Sequence, residues 1–199
     1  MLFRSSDDDK VLDGVEHFVG KEVVVTEKLD GENTTMYRDH VHARSIDSKH
    51  HPSRTWVKAE QGRIQFDIPE GWRLCGENVY AKHSIHYTGL TSYFYLFGIY
   101  NNDVALSWDD TILYADLLGL QTAPVLYRGV WDEAKVKACW TGKSVFGGEQ
   151  EGYVVRLASS FNYEDFAQSA GKFVRAHHVQ TDEFWMSQPV VPNLLRAQS

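Results

Sequence analysis

Hydrophobic residues along this chain fall mainly in short β-branched and aromatic runs, which indicates a protein built largely from β-strands. Nine segments fit strands, at residues 22–29, 33–37, 42–45, 72–80, 93–100, 104–107, 123–128, 152–157 and 172–176. Four segments fit helices, at residues 52–66, 109–119, 132–140 and 163–169. Because helices interrupt the strands irregularly, without a βαβ repeat, the pattern predicts an α+β domain with antiparallel sheets.

The ends of two predicted helices carry recognisable capping residues. Asp109 and Asp132 are suited to cap helix N-termini, and Gly119 is suited to end the helix that starts at Asp109. The apolar face predicted for that helix consists of Ile112, Leu113, Asp116 and Leu117.

Composition narrows the classes of protein that this chain can belong to. The chain has 199 residues, of which 43% are hydrophobic, and we expect one domain spanning residues 1–199. No segment is long and apolar enough to span a membrane, and the acidic N-terminus is unlike a targeting peptide, so a cytoplasmic protein is expected. The net charge of −7 argues against bulk coating of nucleic acid, so any such contact needs a local patch.

Cysteines, histidines and basic runs offer weaker signals. Cys75 and Cys139 are far apart in sequence and are expected to be buried thiols. The histidine pairs lack cysteine partners at zinc spacing, which disfavours structural zinc. Basic residues cluster at 49–58, around Trp56, and at 172–178; each run is either a solvated face or a phosphate-contacting surface, with Trp56 available to stack on bases.

The stretch at residues 26–33 contains Lys28, Asp30 and Gly31 in the pattern K-x-D-G, between two strand-like runs. Two interpretations are open for this stretch alone. Asp30 and Gly31 could form the turn of a β-hairpin, or Lys28 could be a covalent nucleophile beside a carboxylate.

Further motifs follow in order along the chain, at residues 42–45, 74–78, 94–99, 151–156 and 172–175. Together with K-x-D-G, they resemble the lysyl-nucleotidyltransferase superfamily of RNA ligases, DNA ligases and mRNA capping enzymes, most closely its ATP-dependent RNA ligases. The resemblance implies a nucleotidyltransferase (ATP-grasp-like ligase) core of antiparallel sheets with flanking helices. Only 24 residues follow Arg175, so no C-terminal oligonucleotide-binding barrel is expected.

The resemblance also assigns roles to residues. Lys28 would accept AMP, and Lys28, Glu77, Glu151 and Lys172 would form the catalytic set. ATP contacts would come from the catalytic set and from Glu27, Asn33, Arg44, Phe97 and Arg175, with Phe97 stacking on adenine and Glu27 helping to hold it. Asp30, Glu77 and Glu151 would bind Mg²⁺ or Mn²⁺ or contact its hydration shell. The last motif departs from the family pattern, because it reads Lys172-Phe173-Val174-Arg175 where two lysines one residue apart are usual.

The chemistry implied by the resemblance needs a neutral lysine. A free lysine is about 0.04% neutral at pH 7, so the site must lower its pKa or orient the amine through a metal-bound water network. The expected partner is RNA with 5′-phosphate and 3′-hydroxyl ends in RNA repair, with room for an accessory protein in trans and no membrane. Two alternatives are an enzyme that adenylylates ends or seals DNA nicks, and a nucleic-acid-binding relative without catalysis.

Overall fold

The strands of this protein form two sheets in the computed structural model, which describes residues 14–44, 51–174 and 189–197. The strands are β1 (Glu22–Lys28), β2 (Glu32–Met36), β3 (Val41–Ala43), β4 (Trp72–Asn78), β5 (Phe94–Asn101), β6 (Val104–Ala105), β7 (Gln121–Thr122), β8 (Val125–Val130), β9 (Gly152–Leu157), β10 (Phe161–Asn162) and β11 (Ala170–Val174). One sheet has the order β11-β9-β1-β8, and the other has the order β10-β6-β5-β4-β2-β3, with β7 beside β5. All pairs are antiparallel except β5 with β7, so the predicted α+β class with antiparallel sheets is confirmed.

Four α-helices lie close to where the sequence predicts them. They are α1 (Thr55–Ile64), α2 (Trp108–Leu118), α3 (Glu133–Ala138) and α4 (Phe166–Ser169), and short 3-10 turns at Pro52–Arg54, Gln65–Asp67 and Tyr163–Asp165 extend α1 and α4. Asp132 caps α3 and Gly119 ends α2 with a φ of 66°, as expected. Ser107, not Asp109, caps α2, because its hydroxyl accepts the Asp110 amide at 3.1 Å.

The predicted apolar face of α2 is wrong. Ile112, Leu113 and Leu117 are 41%, 54% and 69% exposed. The buried residues are instead Trp108, Thr111, Ala115 and Leu118. Their spacing of three, four and three residues forms one helical stripe, and the small Thr111 and Ala115 let the helix lie close to the sheet. Thr111 tolerates burial because its hydroxyl donates to the Ser107 carbonyl at 2.8 Å.

Each sheet packs one face against helices. Met36, Leu74, Phe94, Leu96 and Ile99 of the larger sheet belong to one core cluster with residues of α1 and α2. In the smaller sheet, a second cluster joins the β1 and β9 side chains to the segment at Glu16–Phe18 and to α3. The remaining faces of the two sheets lie towards each other.

Arg156 of β9 connects the two sheets. Its guanidinium donates to the carbonyls of Phe97 on β5 at 3.4 Å and of Leu106 at 2.6 Å. Val24 of β1 packs with Trp108 and Ala158 in the same region. These contacts close one end of the space between the sheets, and the K-x-D-G segment lies at the end of β1 beyond them.

The hairpin interpretation of K-x-D-G is also wrong. β1 and β2 do not pair, since they belong to different sheets, and residues 29–31 carry the chain from one sheet to the other. A Cβ at Gly31 would lie 2.5 Å from the Asn78 carbonyl oxygen, so the glycine is required by close approach to β4. The segment is therefore a crossing between two sheets.

Two further features concern the expectations from composition. No helix among the described residues is long and apolar enough to cross a membrane. Both cysteines are free thiols; Cys139 is buried as expected, whereas Cys75 is only half-buried, 3.8 Å from the Thr35 hydroxyl.

Candidate active site

Lys28 lies at the last position of β1, and its ammonium forms an ion pair with Glu151. The Lys28 side chain is 24% exposed, whereas that of Glu151 is 2% exposed. The two residues come together because Lys28 pairs with Gly152 across the β1–β9 ladder, and Glu151 immediately precedes Gly152. Two motifs that are 123 residues apart in sequence thus meet at one end of the smaller sheet.

Strand alternation places a second cation on the same face as Lys28. Phe173 of β11 stacks on Tyr153 at 5.0 Å in the outer core cluster. Lys172, the residue before it, therefore lies on the opposite, inner face, where it pairs in register with Val154. Arg175 lies outside the described residues.

The larger sheet contributes Glu77 and Asn33 from across the gap. They are paired residues on β4 and β2, so their side chains lie on the same face of that sheet. Asn33 is exposed and Glu77 is half-buried. The Glu77 carboxylate lies near enough to Lys28 to raise its pKa. The two sheets therefore bring their predicted site residues together.

Phe97 lies at a β-bulge. In the β4–β5 ladder, Cys75 pairs with Gly98 and Gly76 pairs with Leu96, so Phe97 is the extra residue. Phe94 is fully buried in the core, whereas Phe97 is half-buried. The bulge separates Phe97 from the core-facing residues, and it leaves part of the ring accessible as the prediction of a base-stacking residue requires.

The charges at the site favour a protonated Lys28. Burial lowers the pKa of Lys28, but the carboxylates of Glu151, Glu77 and Asp30 more than offset it, and the pKa lies above the ordinary 10.5. Burial raises the pKa of Glu77 to about 8, with Lys28 acting in the other direction. The protein's own groups therefore do not lower the lysine pKa, which was one of the two routes to a nucleophilic amine.

Asp30 has a structural role that its motif did not reveal. One oxygen of its carboxylate accepts the Ser84 hydroxyl and the Ile85 amide, both at 2.7 Å, and its backbone N–H donates to the Tyr87 hydroxyl at 2.8 Å. Asp30 thus fixes the crossing segment to residues 84–87. In the described parts of the chain, no group of three or more His, Cys, Asp or Glu side chains is arranged to hold a metal ion.

Glu27 lies on the opposite face of β1 from Lys28. Its carboxylate is buried and accepts the Val145 amide at 3.1 Å, while its other oxygen has no hydrogen-bond partner. Burial raises the pKa of Glu27, although Ser144 and Val145 act against this shift. The adenine contact predicted for Glu27 would therefore not lie on the Lys28 face of β1.

The remaining sequence candidates are peripheral. Arg44 is exposed just after β3. Trp56 is half-buried against the core and meets Tyr93 edge-on at 5.5 Å, so it is not the open stacking surface suggested for the basic run. Residues 49–50 of that run and 175–178 of the second run lie outside the described residues.

Sequence reasoning missed the contribution of residues 189–197. Asn193 is fully buried; its amide donates to the carbonyls of Val79 at 2.8 Å and Ala81 at 3.3 Å, and it accepts the Tyr87 amide at 2.9 Å. The tail thereby holds the loop whose Tyr87 hydroxyl supports Asp30. A single asparagine in a stretch without periodicity offers no signal from which this role could be found.

Replacing Asn193 with alanine should lower the free energy of unfolding by about 2–4 kcal/mol, because three buried backbone groups lose their partner. Asn193→Asp keeps the acceptor for Tyr87 but turns a buried carboxylate oxygen towards the carbonyls of Val79 and Ala81, so it should lower the free energy of unfolding at least as much as Asn193→Ala. Urea denaturation monitored by tryptophan fluorescence measures the change. An unchanged midpoint for Asn193→Ala would contradict the assignment of the tail as a support of this loop.

Comparisons with known proteins agree with the fold. A family model described as RNA ligase matches residues 21–174. The chain is similar to Naegleria gruberi RNA ligase with PPi, at 23% identity and a TM-score of 0.61, over 81% of this chain and 57% of that chain. A point mutant of that ligase with ATP and Mn is 22% identical at a TM-score of 0.59, over 82% of this chain and 57% of that one.

A further mutant of the same ligase, with AMP and Mn, gives a TM-score of 0.57 at 22% identity, over 76% of this chain and 52% of that one. The chain therefore spans about half the length of these solved ligases. A comparison with curated proteins found no match.

Proposed function

Because this chain belongs to the RNA ligase family, we propose that it is an ATP-dependent RNA ligase that joins 5′-phosphate and 3′-hydroxyl ends. The observation that carries the proposal is the contact of Lys28 with Glu151, with Glu77 facing them from the second sheet. Motifs from three separate parts of the sequence meet around one lysine amine. A nucleic-acid-binding relative without catalysis would have no need to keep this lysine among buried carboxylates.

Lys28 would act as the nucleophile. Its neutral amine attacks the α-phosphorus of ATP, the new P–N bond forms as the bond to the bridging oxygen breaks, and pyrophosphate leaves while the amine loses a proton. The lysine then releases AMP to the 5′-phosphate of RNA, and attack of a 3′-hydroxyl on that phosphorus expels AMP. Lys172, on the Lys28 face, would supply fixed positive charge at the phosphates.

The acidic residues suit a hydrated divalent cation. Glu77 and Glu151 are the carboxylates nearest Lys28, and Mg²⁺ prefers oxygen ligands while keeping several waters, so a complete protein cage is not needed. Asp30 has one oxygen committed to residues 84 and 85, which leaves its other oxygen for such a contact. The cation would offset charge on the phosphates and draw the carboxylates away from the Lys28 ammonium. Solved ligases of similar fold with ATP and Mn support this choice of cosubstrate and metal.

Phe97 and Glu27 suit the base of ATP. The accessible part of the Phe97 ring offers a flat apolar surface, and stacking of this kind contributes about 1 kcal/mol beyond area burial. The unpartnered buried oxygen of Glu27 is an acceptor that lacks a donor, which an adenine amino group would supply. Both features fit the roles that the sequence motifs imply.

A sealing assay tests the proposal. Protein, ATP and Mg²⁺ are incubated with 5′-phosphorylated single-stranded RNA, nicked RNA duplex, RNA–DNA hybrid nicks and all-DNA nicks. We expect covalent labelling of the protein by α-labelled ATP and faster sealing of RNA ends. Preferential sealing of all-DNA nicks would replace the RNA assignment with the DNA one, and labelling without any sealing would leave an end-adenylylating enzyme.

A further inference from the structure

Three aromatic side chains form a ring cluster where β2 meets β3. The rings of Tyr37 and His40 are stacked at 4.4 Å with a 9° angle between their planes. His42 lies 5.7 Å from Tyr37 and 5.9 Å from His40, at angles of 29° and 21°. These near-parallel rings do not belong to the core clusters, and the His40 side chain is 52% exposed. They are an accessible stacking surface that the proposed chemistry does not use.

The ring cluster is held in place by its surroundings. The Tyr37 N–H donates to the His40 carbonyl at 2.8 Å and closes the turn. Gln61 of α1 is buried and donates to the carbonyls of Tyr37 at 2.9 Å and Arg38 at 3.3 Å. His40 is also fixed by Asp39 at 2.6 Å. A surface ordered in this way loses little conformational entropy when a ligand stacks on it.

The ring cluster shares a sheet face with the active site. His42 pairs with Thr35, which lies on the same side of β2 as Asn33, and Asn33 pairs with Glu77. From Glu77 to His42 is two strands across and two residues along, a separation of about 12 Å. Since β3 is an edge strand, the surface runs from Glu77 outward to the rim of the sheet.

Positive charge surrounds the rings in an otherwise acidic chain. Arg38 and Arg44 are exposed on either side of β3, and the Arg38 guanidinium also donates to the Ile68 carbonyl at 3.5 Å. Lys58 and Arg54 of the α1 region line a shallow depression next to His42, and the Arg54 guanidinium is paired with Glu32. Asp39 is the acidic residue of the turn, and it is hydrogen-bonded to His40. Flat rings among cations are the combination by which proteins hold single-stranded nucleic acid.

We propose that the Tyr37–His40–His42 ring cluster is a platform on which a base of single-stranded RNA stacks, about two nucleotides from the reacting end, while Arg38 contacts the backbone. This inference rests on the proposed function, since it places the RNA strand on the face that leads to Lys28. It assigns the RNA contact to these rings and not to Trp56.

Binding of a fluorescent 5′-phosphorylated RNA oligonucleotide, measured by anisotropy, tests the platform. His40→Ala and Tyr37→Ala should each weaken binding about 5- to 50-fold, and Tyr37→Phe, which keeps the ring, should bind within about twofold of the parent. Tyr163→Ala, an exposed aromatic change beside the opposite edge strand β10, is the matched control and should bind like the parent. If Tyr37→Ala fails to fold, His40→Ala still tests the platform, because the His40 ring is exposed and its loss should not disturb the fold.

An abasic nucleotide moved along the RNA locates the stacked base. At the position that meets the platform, the abasic RNA and His40→Ala should each weaken binding, and their combination should weaken it no further. Additive losses at every position, or equal binding by His40→Ala and the parent, would overturn the platform.

Covalent labelling by ATP separates this inference from the proposed function. The ring variants should be labelled within about twofold of the parent, because the rings lie away from Lys28. If the ring variants are labelled normally and bind RNA like the parent, the platform is excluded and the proposed ligase activity is unaffected. If the parent is never labelled but the ring variants lose RNA binding, the proposed ligase activity is excluded and the platform is supported.

Discussion

Substituting Lys28 with alanine should reduce covalent labelling of the protein by α-labelled ATP to background. The alanine side chain has no lone pair to attack phosphorus, and no other amine of the described site replaces it, since Lys172 lies two strands away from β1. Gel autoradiography measures the label. In the parent protein, mass spectrometry should find one AMP adduct on a peptide that contains Lys28.

Lys28→Arg distinguishes the nucleophile from the charge. Arginine keeps a cation beside buried Glu151, so the fold should be retained, but its guanidinium stays protonated and cannot attack. The label should therefore be absent from a folded protein. Lys137→Ala, a surface change on α3, is the matched control and should label like the parent. A labelled Lys28→Arg protein would show that the AMP acceptor is another residue.

Glu77→Gln should stabilise the protein at alkaline pH while slowing labelling about 100-fold. A raised pKa means that ionised Glu77 is disfavoured in the fold, whereas a neutral amide of the same shape is not. The slower reaction follows because the carboxylate that faces Lys28 and suits the metal is lost. Stability and activity thus move in opposite directions at this residue.

The pH dependence of the stability difference has a definite sign. The pKa of Glu77 is about 8 in the fold and about 4.5 in the unfolded chain. Below pH 4.5, Glu77 is protonated in both the folded and the unfolded parent, so the parent and Glu77→Gln should be equally stable there. As the pH rises from about 4.5 to about 8, the parent loses stability relative to Glu77→Gln, and above pH 8 the difference should level off at about 2 kcal/mol because solvent screens the half-buried side chain.

Urea unfolding at pH 5, 7 and 9 measures this difference, and the rate of labelling at limiting ATP gives the activity. Glu70→Gln, which changes an exposed glutamate, is the control and should show neither effect. A Glu77→Gln protein that is less stable than the parent at pH 9 would contradict the raised pKa.

Local patterns predicted most of the elements because strand alternation and helix capping are properties of neighbouring residues. The main strands and all four helices lie within a few residues of their predicted positions, but β7 and β10 were missed because two-residue strands carry no periodicity. The α2 face was predicted wrongly, because hydrophobicity selected Ile112, Leu113 and Leu117 where packing selected a stripe containing Thr111 and Ala115.

The sequence by itself determined the chemistry-bearing residue types and their order, since a covalent lysine, its carboxylates and a flanking cation form motifs that can be read without a fold. Only the tertiary structure decided how they meet. Strand pairing joined Lys28 to Glu151, sheet packing turned Glu77 towards them, and the crossing at Gly31 replaced a hairpin. Buried Asn193 and the ring cluster at Tyr37 emerged only there, because contacts between distant segments leave no periodic trace in either segment.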